Sequence, residues 1–251
     1  MISRVQVTGA DVITAGSVAG NGLRNNLIAY WPGNEVAGNL IDAHTNALHL
    51  TDTNTVTNAA GLVYPTARLY TAANSERHDR PGDDALLSTG DVDFTLASWV
   101  YATYTPIGLG IAGKFGAAGS REYCTMYEQG GDRFRFYVSA DGTALVNVDA
   151  NNLGAPADST WYLVLAWHDS VANTINIQIN NGAADSAAHA GGVLDGAQAF
   201  RIGRISMSYW DGRIGPTAFW KSAPGGGGVL TAAQKTAYWN GGAGLQYGGL
   251  T

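Results

Sequence analysis

Acid pairs, histidines, one cysteine and several glycine-rich turns are the places where this chain could do chemistry. Retaining hydrolysis of a glycosidic bond needs two carboxylates about 5–5.5 Å apart, one as nucleophile and one as acid. Side chains alternate along a strand, so that spacing requires acids at i and i+2 or i+4 on one face. Asp91 and Asp93 form an i, i+2 pair, but they stand at a strand entrance, where aspartates serve turns. Cys124 lies inside the apolar run EYCTMY, the setting of a small core residue. His168 and Asp169 are neighbours on a strand, point to opposite faces and form no relay. His44 and His49 lack metal-ligand spacing and have no cysteine pair beside them. GGDR and PGGGG do not open a helix with the Lys-Ser/Thr of a phosphate loop. No catalytic set emerges, and the expectation is a chain without enzyme activity.

Composition narrows the remaining classes. The chain has 251 residues with 34 glycines, roughly twice the usual share, and 14% charged residues. Such material suits short strands joined by tight turns. The net charge is −6, and 14 Lys and Arg are scattered rather than clustered, which argues against nucleic acid and anionic membrane as partners. A single cysteine allows no intrachain disulfide. No run of 18 apolar residues is present, and the opening MISRVQVTGADV has no apolar signal-peptide core.

Residues 1–26 read as an arm apart from one domain over residues 27–251. The arm holds two short strand candidates, 4–7 and 12–14, whose apolar residues are Val5, Val7, Val12 and Ile13. A polar, glycine-rich terminus orders itself only when tied down. The arm is therefore expected either to add an edge strand to its own domain or to contact another subunit. From Leu27 onward come LIAYW, ALHL, DFTLASWVYA, GIAGKF, EYCTMY, RFRFYVS, ALVNVDA, WYLVLAWH, TINIQIN, AFRIGRI and GPTAFWK, separated by turn signals. In RFRFYVS, Phe134, Phe136 and Val138 share a face; in TINIQIN, Ile175, Ile177 and Ile179 do. WYLVLAWH is apolar on both faces, which predicts a central strand. One helix is predicted near Thr231–Trp239, with a capping box from Thr231 to Gln234 and Gly241 as its left-handed stop. Together these predict an all-β, two-sheet antiparallel sandwich with one short C-terminal helix.

Five segments in this order resemble the laminin-G-like, concanavalin A-like jelly roll. They are LIAYW with Asp42 and NALHLTDTNTV, TGDVDFTLASWVYA, REYCTMYEQGGDRFRFYVSADG, WYLVLAWHDSVANTINIQINNG, and WDGRIGPTAFWK with the helix and LQY that follow. The match spans about residues 27–247. The resemblance implies a jelly roll used for binding, adhesion or glucan hydrolysis. The glucanases of this fold carry E-x-D-x-x-E, and none of the four glutamates, Glu35, Glu76, Glu122 and Glu128, begins that pattern. The resemblance also brings a structural calcium, held in part by an acid in the last strand. Gly215 stands at that position, with Asp211 four residues earlier as a turn residue. No metal and no other cofactor is therefore assigned.

The resulting expectation is a binding or assembly module in one of two settings. One is a free-standing carbohydrate-binding or adhesion lectin. The other, preferred, is a structural surface protein of a phage-like virion, a decoration or fibre-associated subunit, assembled in the cytoplasm and acting outside after lysis. Its partners would be other subunits, as a homo-oligomer or on a capsid or fibre, with surface glycans as an added ligand. Saccharide recognition uses aromatic platforms and neutral polar groups, which Tyr104, Tyr127, Tyr209 and Trp210 could supply. The charged stretch Arg77, His78, Asp79 and Arg80 reads as a solvated loop with local ion pairs, or as a partner contact.

Overall fold

The computed structural model describes residues 20–102 and 108–251. Two antiparallel sheets face each other. The larger runs in the order β13 (Ala184–Ala188), β12 (Thr174–Ile179), β11 (Thr160–Asp169), β6 (Asp93–Ala102), β17 (Gly212–Ser222), β4 (Thr66–Tyr70) and β3 (Thr57–Ala60), with β1 (Leu27–Trp31) also paired to β17. The smaller runs β10 (Val146–Asp149), β9 (Arg133–Val138), β8 (Arg121–Glu128), β7 (Leu109–Phe115), β14 (Arg201–Ile202), β5 (Arg77–Asp79) and β2 (Thr51–Thr53). A hairpin of β15 (Arg204–Ile205) and β16 (Ser208–Tyr209) stands apart from both. The all-β sandwich expected from the alternation is thus the fold.

The main core lies between the sheets. Leu96, Val100, Val164 and Phe219 of the larger sheet meet Tyr123, Phe134, Phe136 and Ile202 of the smaller. Phe134, Phe136, Val138, Ile175, Ile177 and Ile179 all point inward, as their two-residue period requires. Burying each such side chain contributes roughly 1.5–3 kcal/mol. The opposite face of the larger sheet is also covered. Leu163, Leu165 and Trp167 of β11 pack there with Trp99, Trp220, Leu230, Tyr238 and Leu250 under α1 (Ala232–Trp239) and the C-terminal residues. This second core explains why WYLVLAWH is apolar throughout: β11 is an inner strand, between β12 and β6, with apolar layers on both sides.

α1 begins with the expected reciprocal cap between Thr231 and Gln234. Its end differs by one residue. Asn240 already takes the left-handed conformation, at φ +49°, ahead of Gly241 at +63°. Asparagine tolerates that region better than other side chains do.

Residues 20–26, placed with the arm by composition, are packed into the domain. Leu23 is fully buried, the Asn21 side-chain amide donates to Gly249 O, and Arg24 donates to the Leu250 and Tyr247 carbonyls. Val5, Val7, Val12 and Ile13 lie outside the described residues.

Of the charged stretch at 77–80, Arg77–Asp79 form a strand rather than a solvated loop. β5 pairs with β2 and β14 and puts His78 inside the protein. Two side chains of β4, Arg68 and Tyr70, lie against His78. Arg68 is also fully buried and donates to the carbonyls of Glu35, Gly38 and Val56. His78 contacts Gly38 O through Nε2 at 3.1 Å and the Tyr70 hydroxyl through Nδ1 at 2.9 Å.

Candidate functional site

The β15–β16 hairpin owes its position to two glycines. At Gly203, with φ +85°, the chain turns out of β14; a Cβ there would lie 2.5 Å from the Tyr70 ring. At Gly110 of β7 a Cβ would lie 2.3 Å from Ile205 N and 2.5 Å from Ser208 O. A side chain at either point would push the hairpin away, since real Cβ atoms do not approach backbone so closely. The hairpin rests on Phe115, Cys124 and Ile205, a small apolar cluster of its own. Cys124 is buried there and its thiol pKa is raised well above the usual value by burial, the state of a packing residue.

Clefts flank this hairpin and share its residues. One, about 630 Å³, is lined among the described residues by Ala72, Ala73, Gly108, Gln129, Met207, Ser208, Tyr209 and Asp211. A neighbour of about 260 Å³ shares Asp211 and adds Tyr101 and Arg213, whose guanidinium sits 4.5 Å over the Tyr101 ring. A third, of about 240 Å³, shares Met207 and lies on the hairpin's other side. Met207 at the hairpin turn is 78% exposed. Asp211 Oδ1 accepts from Ala72 N at 3.2 Å, which leaves its other oxygen toward solvent. In the main cleft an aromatic ring, an amide, a hydroxyl and a carboxylate thus converge on an open surface. Among the described residues the lining carries a single carboxylate, so no pair of acids for glycoside hydrolysis is assembled there among them.

A family model for the concanavalin A-like lectin/glucanases superfamily, of the laminin-G type, matches residues 80–226. The chain belongs to this superfamily. No curated protein matches the chain. Among solved structures it is similar to domain 4 of AbnA, a GH43 extracellular arabinanase from Geobacillus stearothermophilus, solved in complex with arabinotriose. The TM-score is 0.62 and the identity 16%, over 84% of this chain and 97% of that one. It is also similar to the binding domain of Paraclostridial Mosquitocidal Protein 1, with TM-score 0.66, 11% identity, and coverage of 87% of this chain and 53% of that one. The binding domain of Botulinum Neurotoxin DC, solved with SialylT, gives TM-score 0.60 and 11% identity over 90% and 53%. The chain therefore spans about half the length of these toxin binding domains. At such identities the likeness is one of fold.

The superfamily's structural calcium does not fit the last strand of this member. Between Ile214 and Thr217, β17 carries one residue more than β6 opposite it, a bulge formed at Gly215 and Pro216. Proline lacks the N–H that a central strand would use, so a bulge is where it belongs. A Cβ at Gly215 would meet Trp99 and Trp161 at 3.4–3.6 Å, an aromatic setting. Among the described residues no group of three or more His, Cys, Asp or Glu side chains stands together.

The residues marked by the sequence divide sharply. Tyr209 lines the main cleft. Tyr104 lies outside the described residues. Trp210 is fully buried, its indole N–H donating to Arg213 O, so it presents no surface to a ligand. Tyr127 is 3% exposed; its hydroxyl donates to Asp132, and burial with that contact pushes its pKa up to about 12. Its role is to hold the strand end next to the cleft. His78 is buried and cannot touch a partner, while Arg77, Asp79 and Arg80 are engaged in ion pairs with Asp79, with Arg77 and Arg201, and with Asp84. The seven tryptophans form no exposed platform. Trp31, Trp99, Trp167, Trp210 and Trp220 are buried, and Trp161 and Trp239 are half-buried. Asp93, expected in a turn, is instead the buried first residue of β6, where its carboxylate accepts from Ser170 and Gly225 of two neighbouring loops. Gln129, Ser208 and Asp211 are the functional candidates that sequence reasoning missed. Gln129 and Asp211 stand in short connections at strand ends, and Ser208 opens the two-residue strand β16.

Proposed function

We propose that this protein is a non-enzymatic binding module that holds a saccharide in the cleft at Tyr209. The observation that carries this reading is the convergence of the Tyr209 ring with Gln129, Ser208 and Asp211 around one open cleft. An apolar ring face covers a sugar's C–H face, and the amide, hydroxyl and carboxylate fix its hydroxyls. A single carboxylate among the described lining residues favours binding over hydrolysis. The similar solved structures give the same lean: one is solved with arabinotriose, and the others are named binding domains.

The setting we propose is the surface of a phage-like particle, where residues 1–19 attach the domain to another subunit. Support comes from Asn21 and Arg24, which fix the start of the domain beside its C-terminus, so both ends of the domain leave from one place. Titration calorimetry against a panel of neutral and acidic oligosaccharides tests the binding reading. Wild type should bind at least one member, and Tyr209→Ala should weaken it at least about tenfold, or about 1.4 kcal/mol. A panel without binders, or binding untouched by Tyr209→Ala, would overturn it.

A further inference from the structure

The hairpin that supplies Tyr209 to one cleft supplies Arg204 to the next. Arg204 lies in the cleft lined by Gly116, Ala117, Gln198, Arg201, Ser206 and Met207. Its guanidinium sits 5.1 Å over the Tyr209 ring, and its Nε donates to Ser206 O at 2.7 Å. The fork beyond Nε has no carboxylate within ion-pair distance among the described residues. The surroundings are positive. Arg77 and Arg201 both act electrostatically on Arg204, and both already share the single carboxylate of Asp79, each at 2.8 Å. Three guanidinium groups therefore face one carboxylate, in a chain whose net charge is −6. Burial, and then the two neighbouring arginines, pull the Arg204 pKa below its ordinary value against the opposing pull of Tyr209 and Asp79. A partly buried, under-compensated guanidinium is a place where an oxyanion gains a two-pronged, charge-assisted contact.

We propose that Arg204 binds the carboxylate or sulfate of an acidic saccharide whose neighbouring ring lies on Tyr209. This rests on the saccharide-binding reading above and gives it a ligand class. The two clefts meet at Met207, and the stacked Arg204–Tyr209 pair joins them, so one ligand of two or more sugar units spans both. Ser206, at φ +52°, and the exposed Met207 form the hairpin turn over which such a ligand would pass.

The test uses matched oligosaccharides: a uronate-containing one and its carboxyl-reduced form, a sulfated one and its desulfated form, and inorganic sulfate alone. Affinities are measured for wild type, Arg204→Gln, Arg204→Lys and Tyr209→Ala. The acidic member of one pair should bind at least about tenfold more tightly than its neutral form at low salt, the scale of a charged hydrogen bond. The preference should shrink as salt rises. Arg204→Gln should lower acidic binding to the level at which the same variant binds the neutral form. Arg204→Lys should keep part of the preference, which separates a lost charge from a disturbed hairpin. Equal affinity within both pairs, or a preference that survives Arg204→Gln, overturns the proposal while neutral binding lost in Tyr209→Ala leaves the saccharide reading standing. Binding of inorganic sulfate without any preference between paired saccharides also overturns it. If no saccharide of either kind binds, both readings fall together.

Discussion

His78 shows how one side chain ties chemistry to stability. Its Nε2–H donates to Gly38 O, which leaves Nδ1 to accept from the Tyr70 hydroxyl. Protonation of Nδ1 would break that acceptance and set a second cation beside buried Arg68. Burial, with Arg68, holds the His78 pKa down to about 4, against the partial opposition of Gly38, Asp52 and Asp79. Between about pH 6.5 and 4 the unfolded chain then binds a proton that the folded one refuses, so stability is lost as pH falls through that window. The ceiling on this effect is about 3 kcal/mol. Glu122 works the other way. Burial lifts its carboxyl to about 7 despite Lys114 beside it, so its share of stability grows as pH falls from 7 toward 4.5. Urea unfolding at pH 7 and pH 5 of wild type and His78→Gln separates the two. The variant should lose less stability on acidification than wild type; equal losses would place the titration elsewhere.

Strands and turns carry the next lesson. Segments with a clean two-residue alternation, such as RFRFYV and TINIQI, were legible because their inward residues are all apolar. TARLY and RHD were not, because each sends a polar side chain inward, Arg68 onto the carbonyls of Glu35, Gly38 and Val56 and His78 onto Gly38 O and the Tyr70 hydroxyl. A sequence read one segment at a time cannot see those partners. The split of AFRIGRI at Gly203, with a hairpin lifted off the sheet, was equally hidden, since it depends on Gly110 nearly a hundred residues away. Gly110→Ala should displace the hairpin and weaken saccharide binding at least as much as Tyr209→Ala does, while far-ultraviolet circular dichroism stays that of a β protein. Unchanged binding would mean that the hairpin's seat on β7 does not shape the cleft. At the C-terminal helix, Thr231→Ala removes a reciprocal cap. The expected cost is about 1 kcal/mol in chemical denaturation.

The whole molecule decides what sequence order conceals. Tyr209 was legible as a residue type suited to sugars, but its companions come from four separated stretches, at 72–73, 108, 129 and 207–211. Tryptophan, the more obvious platform, was misleading because two apolar layers, one on each side of the larger sheet, take up all seven. Two consequences belong to this scale. A chelator should leave thermal unfolding unchanged, because the bulge at Gly215 and Pro216 stands where the superfamily's acid would be. A site filled at a hundred times its Kd would add about 2.7 kcal/mol, visible as a downward shift on chelation. Deleting residues 1–19 should leave a folded monomer, because Asn21, Leu23 and Arg24 remain to close the domain, while assembly or particle attachment is lost. Assembly that survives the deletion would remove the arm from that role. The most direct test of the central claim is an amide chemical-shift titration of the intact protein with an oligosaccharide that binds, with product formation followed in the same tube. The account predicts shifts concentrated at Gln129, Ser208, Tyr209 and Asp211, with the saccharide recovered intact; shifts centred elsewhere, or cleavage of the saccharide, would contradict it.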